Sequence, residues 1–201
     1  MERLKRTEKN KLTERVLQFG EGNFLRGFVD WMIDKLNKEN GVIIVQPLAG
    51  GLVDKLNAQD GRYSLYLRGL LKGEKVEETR IVDCVTRGIN PYTNTDEFFD
   101  CAKNPDLRFI VSNTTEAGIE YKPNQNPDDF NGLTFPGRLT LFMKKRFDEG
   151  LGGFILLPCE LIDKNGDNLK ECILKYSEDW GYGGEFEKWI ETENHFTNTL
   201  V

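Results

Sequence analysis

The sequence predicts an α/β fold with a mostly parallel sheet, helices on both faces and an inserted β-hairpin. The first indication is a strand–turn–helix–strand pattern between Val16 and Val45, about 30 residues, which is the length of a βαβ crossover. The second is the recurrence of short apolar runs at 108–113 and 154–158, each followed by a helical apolar pattern. The third is a pair of alternating segments around a turn at 71–74, which is typical of a hairpin.

The first unit consists of a buried strand that ends at Phe19, a glycine turn and an amphipathic helix. We expect the apolar side chains of this helix to lie on the sheet and its polar side chains to face solvent. The apolar set is Leu25, Phe28, Val29, Met32, Ile33 and Leu36, and the polar set is Asp30, Asp34 and Lys35. Asn40-Gly41 ends the helix, and 42–45 forms a second strand that is buried on both faces.

The later elements are predicted from the same periodicities and from capping residues. A short helix is expected at 52–56, followed by hairpin strands at 62–70 and 76–85. Thr95 is predicted to cap one helix, Pro136 to open a second and Asp167 to cap a third. A further helix is expected at 185–193, and an irregular, mobile surface loop at 123–132. The aromatic side chains of Phe142 and Phe147 are assigned to the core.

Composition and charge limit the classes of function. The 201 residues can bury a substantial core, and we expect an N-terminal extension over 1–14 followed by one domain over 15–201. A formal net charge of −6 argues against a broad nucleic-acid-binding surface. The sequence shows neither a secretory signal nor an apolar run as long as a membrane span. We therefore expect a cytoplasmic protein that binds no membrane.

The four cysteines, Cys84, Cys101, Cys159 and Cys172, are far apart and form no C-x-x-C pair. This spacing predicts free, mostly buried thiols and no structural metal site. The single histidine of the sequence, His195, lies in a polar stretch and is interpreted as a surface residue.

The glycine turn at Gly20-x-Gly22 lies where a buried strand meets an amphipathic helix. In this context Gly20 permits a tight turn, and Gly22 lacks the side chain that would block a pyrophosphate. A third glycine of the dinucleotide pattern would fall at Leu25. Two alternatives remain open: a turn without a ligand, and the first motif of an S-adenosylmethionine-dependent methyltransferase.

The ends of three predicted strands carry residues that are candidates for contact with the ligand. The second strand ends in Gln46-Pro47, so the carboxylate that usually binds a ribose is missing, and the chemistry leaves NAD or NADP open. Ser112, Asn113 and Thr114 end another strand, where they would bind a nicotinamide ribose or amide, or would cap the loop. Glu160 follows a third strand and would contact substrate or cap a turn.

Several blocks together carry a resemblance to a known family. They are Gln18 to Trp31, Phe109 to Ile119 and Pro158 to Asp167, which occur in this order. Taken together, these blocks resemble the mannitol dehydrogenase family of long-chain polyol dehydrogenases, from about residue 15 to residue 201. Three blocks in register are far more specific than the glycine turn alone.

The resemblance implies a Rossmann-like NAD-binding domain that takes part in reversible hydride transfer between NAD(H) and a hexuronate-derived keto acid. It does not separate tagaturonate from fructuronate. The cofactor-binding residues would be Phe19, Gly20, Glu21, Gly22, Asn23, Phe24, Leu25, Arg26, Gln46, Ser112, Asn113 and Thr114, and Glu160 would contact the substrate. In the mannitol branch Asp-Asn-Leu follows the cysteine, and that Asn belongs to the active site. Here Glu160 to Ile162 stand at those positions, which weakens the expectation of a polyol substrate.

The resemblance also implies that the catalytic residues lie elsewhere. The family's catalytic lysine, with a following Asn and His, belongs to a helical C-terminal domain beyond Val201. We therefore expect 1–201 to be the cofactor-binding domain of a larger enzyme, inactive alone, with that missing domain as a partner. The alternative is a non-enzymatic nucleotide-binding module. The sequence leaves the oligomeric state open.

Overall fold

The computed structural model describes residues 4–6, 12–36, 39–115 and 118–200. Their secondary-structure elements are β1 (Thr13–Phe19), α1 (Asn23–Gly27), α2 (Val29–Leu36), β2 (Asn40–Val45), α3 (Val53–Asn57), β3 (Tyr63–Leu71), β4 (Glu74–Val82), β5 (Val85–Ile89), α4 (Thr95–Cys101), β6 (Phe109–Ser112), α5 (Phe135–Asp148), β7 (Ile155–Pro158), α6 (Asn165–Asp179), α7 (Gly184–Glu193) and β8 (His195–Phe196). A 3₁₀ turn at Phe130–Gly132 precedes α5.

Six of the strands form one sheet in the order β5-β2-β1-β6-β7-β8, and every neighbouring pair is parallel. The chain leaves β1 first toward β2 and β5 and then returns to β6 on the other side. Between β1 and β6 the direction of winding therefore reverses, which opens a crevice at the carboxyl ends of these strands. The strands β3 and β4 form a separate antiparallel hairpin. The predicted fold class and the inserted hairpin are confirmed.

The core has two parts, one on each face of the sheet. Because successive side chains of a strand point to opposite faces, Leu17 and Phe19 belong to one cluster and Val16 to the other. The first cluster packs against α4, α5, α6 and α7. The second lies under α1, α3 and the hairpin. Helices thus cover both faces, as the sequence predicts.

The first helix differs from the prediction in two ways. It is interrupted at Phe28, which separates α1 from α2. Its orientation is also different: Asp30 is 0% exposed, whereas Phe28 is 41% and Leu36 76% exposed. The prediction that the aspartates face solvent and that these apolar side chains lie on the sheet is therefore wrong.

The hairpin explains this orientation, because it covers α2 and presents polar groups to it. Arg80 of β4 forms an ion pair with Asp34 at 2.6 Å, and the backbone N–H of Asp83 donates to the same carboxylate at 2.9 Å. The hydroxyl of Tyr63, at the start of β3, donates to Asp30 Oδ2 at 3.0 Å. Buried carboxylates are tolerated when they are hydrogen-bonded, so the hairpin makes this polar helix face an interior surface.

Other local predictions need correction. Val85 does not belong to the hairpin but begins β5, a strand of the main sheet that the sequence analysis missed. The cap of α4 is Asn94, whose side chain accepts from the Glu97 N–H, and not Thr95. Asp167 lies inside the first turn of α6, which begins at Asn165. Proline does lie in the first turn of α5, after the capping residue Thr134.

The N-terminal segment is in part attached to the domain. Of the predicted extension, residues 1–3 and 7–11 lie outside the described residues, and β1 begins at Thr13. The Arg6 guanidinium donates to the carbonyls of Asp83 and Val85, both at 2.7 Å. All four cysteines are buried and free, as predicted. No helix in the described part of the chain is long and apolar enough to cross a membrane.

Candidate functional site

A cavity of about 580 Å³ lies at the carboxyl ends of β1, β2 and β6, where the winding of the sheet reverses. Backbone and side chains from four loops and from the start of α5 surround it. The lining residues are Gly20, Glu21, Gly22, Pro47, Leu48, Leu52, Tyr92, Asn113, Thr114, Thr115, Gly118, Glu120, Lys122, Leu133, Thr134, Phe135 and Arg138.

Gly20 is required by the backbone of the turn. Its φ is +125°, a conformation that side chains rarely adopt, and its N–H donates to the Val45 carbonyl at 3.0 Å. A Cβ at this position would lie 2.9 Å from the carbonyl oxygen of Asn113. The first glycine therefore brings the ends of β1, β2 and β6 close together.

Gly22 is different, because the fold itself does not require a glycine there. Its φ of −69° and ψ of 166° are ordinary extended values, and a Cβ would meet no heavy atom within 4 Å among the described residues. The residue precedes α1 and lines the cavity. Its missing side chain leaves space at the turn, where unpaired N–H groups of a first helical turn are available to a ligand.

The neighbours of these glycines support the turn. Arg26 donates from Nε to the Glu21 carbonyl and from Nη2 to Asn23 Oδ1, both at 2.8 Å. Leu25 and Phe19 are buried in the two core clusters and do not line the cavity. Leu25 thus occupies the position of the third glycine, and its side chain packs in the core.

Phe24 is exposed to solvent and does not line the cavity. Of the eight residues predicted from Phe19 to Arg26, the structure places Gly20, Glu21 and Gly22 at the cavity.

Gln46 also does not line the cavity. Its side chain is buried and donates to the carbonyls of Leu48 at 2.7 Å and Ala49 at 3.0 Å, while its oxygen accepts from the Val53 N–H at 3.4 Å. The amide therefore holds the loop between β2 and α3 in place. The contact of Gln46 with the cofactor stays a prediction.

The strand-end residues of β6 are held by Glu160. This glutamate is 1% exposed, and its two oxygens accept from Ser112 Oγ at 3.1 Å, from Thr114 Oγ1 at 2.9 Å and from the Thr114 N–H at 3.0 Å. A carboxylate with both oxygens bonded beneath a loop is a positioning group. These bonds are those expected of the turn-capping alternative, and the substrate contact of Glu160 stays a prediction.

Asn113 and Thr114 do line the cavity, whereas Ser112 is buried below them. The Asn113 side chain donates to the Cys159 carbonyl at 2.6 Å, which ties the ends of β6 and β7 together. Thr115 follows with a φ of +85°, an unfavourable value for a β-branched residue and one that marks strain beside the cavity. Glu116 and Ala117 of the same sequence block lie outside the described residues.

The opposite wall contains residues that the sequence analysis missed. Tyr92 donates from its hydroxyl to the Pro47 carbonyl at 2.8 Å, and Arg138 donates to the same oxygen at 3.2 Å. The Arg138 guanidinium lies 4.5 Å from the centre of the Tyr92 ring. Recognition of β5 as a strand would have marked Tyr92 as a residue at its carboxyl end. Arg138 lies in the helix that Pro136 was predicted to open, where the sequence pattern marked only apolar side chains.

The arrangement suits a ligand with a phosphate group and polar ends. The glycine turn offers backbone N–H groups, and hydroxyl and amide side chains lie on the β6 side. Within the described residues no group of three or more His, Cys, Asp or Glu side chains could hold a metal ion. The cavity can therefore hold an organic ligand through backbone N–H groups and neutral polar side chains.

Comparison with known proteins identifies relatives of this chain. The profile of the mannitol dehydrogenase Rossmann domain matches residues 14–201. An altronate oxidoreductase from Cronobacter sakazakii is 45% identical over 197 residues, which cover 94% of this chain and 41% of that protein. An altronate oxidoreductase from Bacteroides thetaiotaomicron is 46% identical over 196 residues, with the same coverage. The chain thus spans about two fifths of the length of these curated relatives.

Solved structures show the same fold. A D-sorbitol dehydrogenase in substrate-free form superposes with a TM-score of 0.77 at 20% identity, over 93% of this chain and 42% of that one. A Pseudomonas fluorescens mannitol 2-dehydrogenase, in a ternary complex with NAD and D-mannitol, superposes with a TM-score of 0.75 at 18% identity. That match covers 98% of this chain and 43% of the other.

Proposed function

The chain belongs to the mannitol dehydrogenase family, and we propose that it is the NAD-binding part of an altronate oxidoreductase, also called tagaturonate reductase. The whole enzyme would interconvert tagaturonate and altronate by hydride transfer. Altronate oxidoreductases from two organisms support the choice of reaction, at 45% and 46% identity. Family membership sets aside the methyltransferase alternative, which rested on the glycine turn alone.

One observation in the structure carries the proposal, namely the open space at Gly22. A glycine with ordinary backbone angles and no neighbour within 4 Å of its Cβ position is not explained by the fold. Gly152 is equally open, but Gly22 lines the cavity, where a group such as a pyrophosphate could approach the backbone closely. The residues of the cavity therefore fit a dinucleotide.

The chain's own residues would bind and orient the cofactor. The backbone from Gly20 to Gly22 would hold the pyrophosphate, and Arg26 keeps this turn in place through its bonds to Glu21 and Asn23. Pro47 and Tyr92 would flank the adenosine end. When bound, NADH supplies the hydride for reduction of the keto group.

Asn113 and Thr114 would flank the nicotinamide end of the cofactor. Glu160 holds the loop of Thr114 from below, with oxygens 2.9 and 3.0 Å from its hydroxyl and backbone nitrogen. The loop geometry is thus set by a buried carboxylate, and a fixed loop is what orientation of a reacting ring requires. In this proposal Glu160 positions the site without touching substrate.

The proton for the reduced ketone would come from the lysine that the family resemblance assigns to a C-terminal domain. We therefore expect 1–201 to bind NADH and to show no turnover with tagaturonate. A protein that includes the remaining length of its relatives should reduce tagaturonate, with fructuronate as the comparison substrate. The absence of NADH consumption by that longer protein with both keto acids would contradict the assigned reaction.

Substitution of Gly22 tests the binding site. Gly22→Val should weaken NADH binding at least about 100-fold, because a branched side chain would occupy the pyrophosphate position while the fold has room for it. Isothermal titration calorimetry with NADH measures the affinity, and circular dichroism verifies that the variant is folded.

Gly152→Val is the matched control. Gly152 is also exposed and also has open space around its Cβ position, but it lies away from the cavity. This variant should bind NADH like the parent. Equal affinity of the Gly22 variant and the parent would remove the turn from the site. Binding of S-adenosylmethionine without NADH binding would overturn the proposal as a whole.

A further inference from the structure

We propose that the Glu21 side chain selects NAD(H) over NADP(H), in place of the carboxylate that dinucleotide-binding folds carry at the end of the second strand. The inference rests on the proposed function and adds a specificity determinant to it. Three observations support it: the occupied amide of Gln46, the position of the Glu21 carboxylate, and the state of the cations around the cavity.

The end of β2 cannot supply the usual ribose contact. In folds of this kind an acidic residue at that point bonds the ribose 2′-hydroxyl of NAD, whereas an arginine accommodates the 2′-phosphate of NADP. Here β2 is followed by Gln46, whose buried amide donates to two carbonyls of its own loop and accepts from the N–H of Val53, the first residue of α3. The end of β2 therefore has neither the acidic residue that would bond the 2′-hydroxyl of NAD nor the arginine that would accommodate the 2′-phosphate of NADP.

Glu21 brings a carboxylate to the same place from the glycine turn. Its Oε1 accepts from the backbone N–H of Leu52, in the loop after β2, at 3.4 Å. A Cβ on Gly51 would meet both this Glu21 oxygen and the side-chain carbon of Gln46. The two side chains are therefore neighbours across Gly51. Glu21 is 9% exposed and lines the cavity, whereas Gln46 does not.

The cations that line the described part of the cavity are Arg138, which is buried and bonded, and Lys122, which forms an exposed pair. The three guanidinium nitrogens of Arg138 donate to the carbonyls of Phe130, Pro47 and Asn131. Lys122 lies 3.4 Å from the carboxylate of Glu120.

A 2′-phosphate on the adenosine ribose would therefore meet the Glu21 carboxylate, while the Arg138 guanidinium is already bonded to three carbonyls. A like-charge contact of this kind disfavours the phosphorylated cofactor, while a ribose hydroxyl can donate to the same oxygen.

The test is the ratio of the dissociation constants of NADPH and NADH, measured by calorimetry for the parent chain and for Glu21→Gln. The amide keeps an oxygen for the Leu52 N–H and removes the charge, so the fold should be retained. We expect NADH to bind the parent more tightly than NADPH. In the variant the ratio should fall by about tenfold or more, with tighter NADPH binding and weaker NADH binding.

Asp54→Asn is the matched control for net charge. Asp54 is exposed in the first turn of α3, close in sequence to the same loop, and does not line the cavity. For the Asp54→Asn variant, the ratio of the dissociation constants of NADPH and NADH should equal that of the parent chain. Glu21→Ser is a second variant that removes the charge, and it should also lower the ratio if the amide happens to perturb the turn.

The outcomes separate this inference from the proposed function. A parent chain that binds NADH, with the same ratio in both Glu21 variants, overturns the role of Glu21 and leaves the dinucleotide site intact. A parent that prefers NADPH overturns the inference as well. A parent that binds neither nucleotide overturns the proposed function and the inference together.

Discussion

Asp30 illustrates how the fold changes the chemistry of a single residue. Its carboxyl group is fully buried in α2, and burial raises its pKa from 3.8 to about 7, although the hydrogen bond from Tyr63 lowers it in part. Oδ2 accepts that bond at 3.0 Å, while Oδ1 has no hydrogen-bond partner within the described residues. Below about pH 7 the protonated form of Asp30 is thus favoured inside the folded protein.

A pH dependence of stability follows from this shift. The folded-state pKa is higher than the unfolded one, so between about pH 4 and 7 the folded state retains a proton that the unfolded chain releases. The stabilisation is complete below pH 4 and is lost as the pH rises through about 7.

Asp30→Asn should remove this loss and stabilise the protein at pH 8 by about 1–4 kcal/mol, because an amide needs no deprotonation and still accepts from Tyr63. Urea unfolding at pH 5 and pH 8 measures the effect. An equal decrease in the free energy of unfolding between pH 5 and pH 8 in the parent and the variant would show that Asp30 is not the responsible group.

The roles proposed for Glu21 and Gly22 rest on the surroundings of these residues and not on their identity. A glycine is unremarkable in sequence until its Cβ position is found to be open, and a glutamate is unremarkable until it lies beside the end of a neighbouring strand. Neither the open Cβ position of Gly22 nor the place of Glu21 beside β2 can be predicted from the residue type alone.

At the scale of elements, the contact between α2 and the hairpin is the part that the sequence pattern misjudged. An amphipathic helix normally places its apolar stripe on the sheet. In this chain Leu25 and Val29 do pack toward the core, but Phe28, Met32 and Leu36 are exposed. The hairpin partner carries Arg80 and Tyr63, so the aspartate face of the helix finds bonding partners there.

Removal of the Arg80 side chain should weaken the contact between α2 and the hairpin and lower the free energy of unfolding. Arg80→Ala would leave the nearly buried Asp34 carboxylate with its bond from the Asp83 N–H, at a cost of about 1–3 kcal/mol in unfolding free energy.

Arg68→Ala is the control on the same hairpin, because Arg68 pairs with Glu77 in a fully solvated position. Its loss should cost less than about 1 kcal/mol. Chemical unfolding of both variants gives the comparison. Equal costs would mean that the α2–hairpin ion pair contributes no more than a surface pair.

At the scale of the whole molecule, the cavity exists because four loops and one helix converge at one edge of the sheet. Its residues come from positions as distant in sequence as Gly20 and Arg138, and no local segment contains the complete wall. A ligand that requires the whole wall binds the folded state and not the unfolded chain, so binding and global stability are linked.

NADH should therefore raise the melting temperature of the chain. At about 100 times the dissociation constant the expected stabilisation is about 2.7 kcal/mol, or roughly 5–10 °C for a domain of this size. Differential scanning calorimetry with increasing NADH measures the shift, and the Gly22→Val variant should show no more than about 1–2 °C at the same NADH concentration. An unchanged melting temperature of the parent at millimolar NADH would contradict a dinucleotide site.

The sequence by itself determined the fold class, the βαβ unit, the hairpin and the location of the glycine turn. These follow from local periodicity and from turn chemistry, which depend on near neighbours in the chain. Family blocks such as Gln18 to Trp31 added the kind of ligand. The strand β5 was missed because Val85 to Ile89 has a polar pair at its centre, Thr86 and Arg87, and resembles the end of a hairpin.

The tertiary structure alone decided which side chains line the cavity. It turned Gln46 inward, placed Glu160 under the β6 loop, and brought Tyr92 and Arg138 to the cavity. It also buried Asp30 and left Phe28 in solvent. The physical reason is that orientation depends on the partner an element packs against, and hydrogen-bond satisfaction across distant segments can outweigh the apolar pattern of one helix.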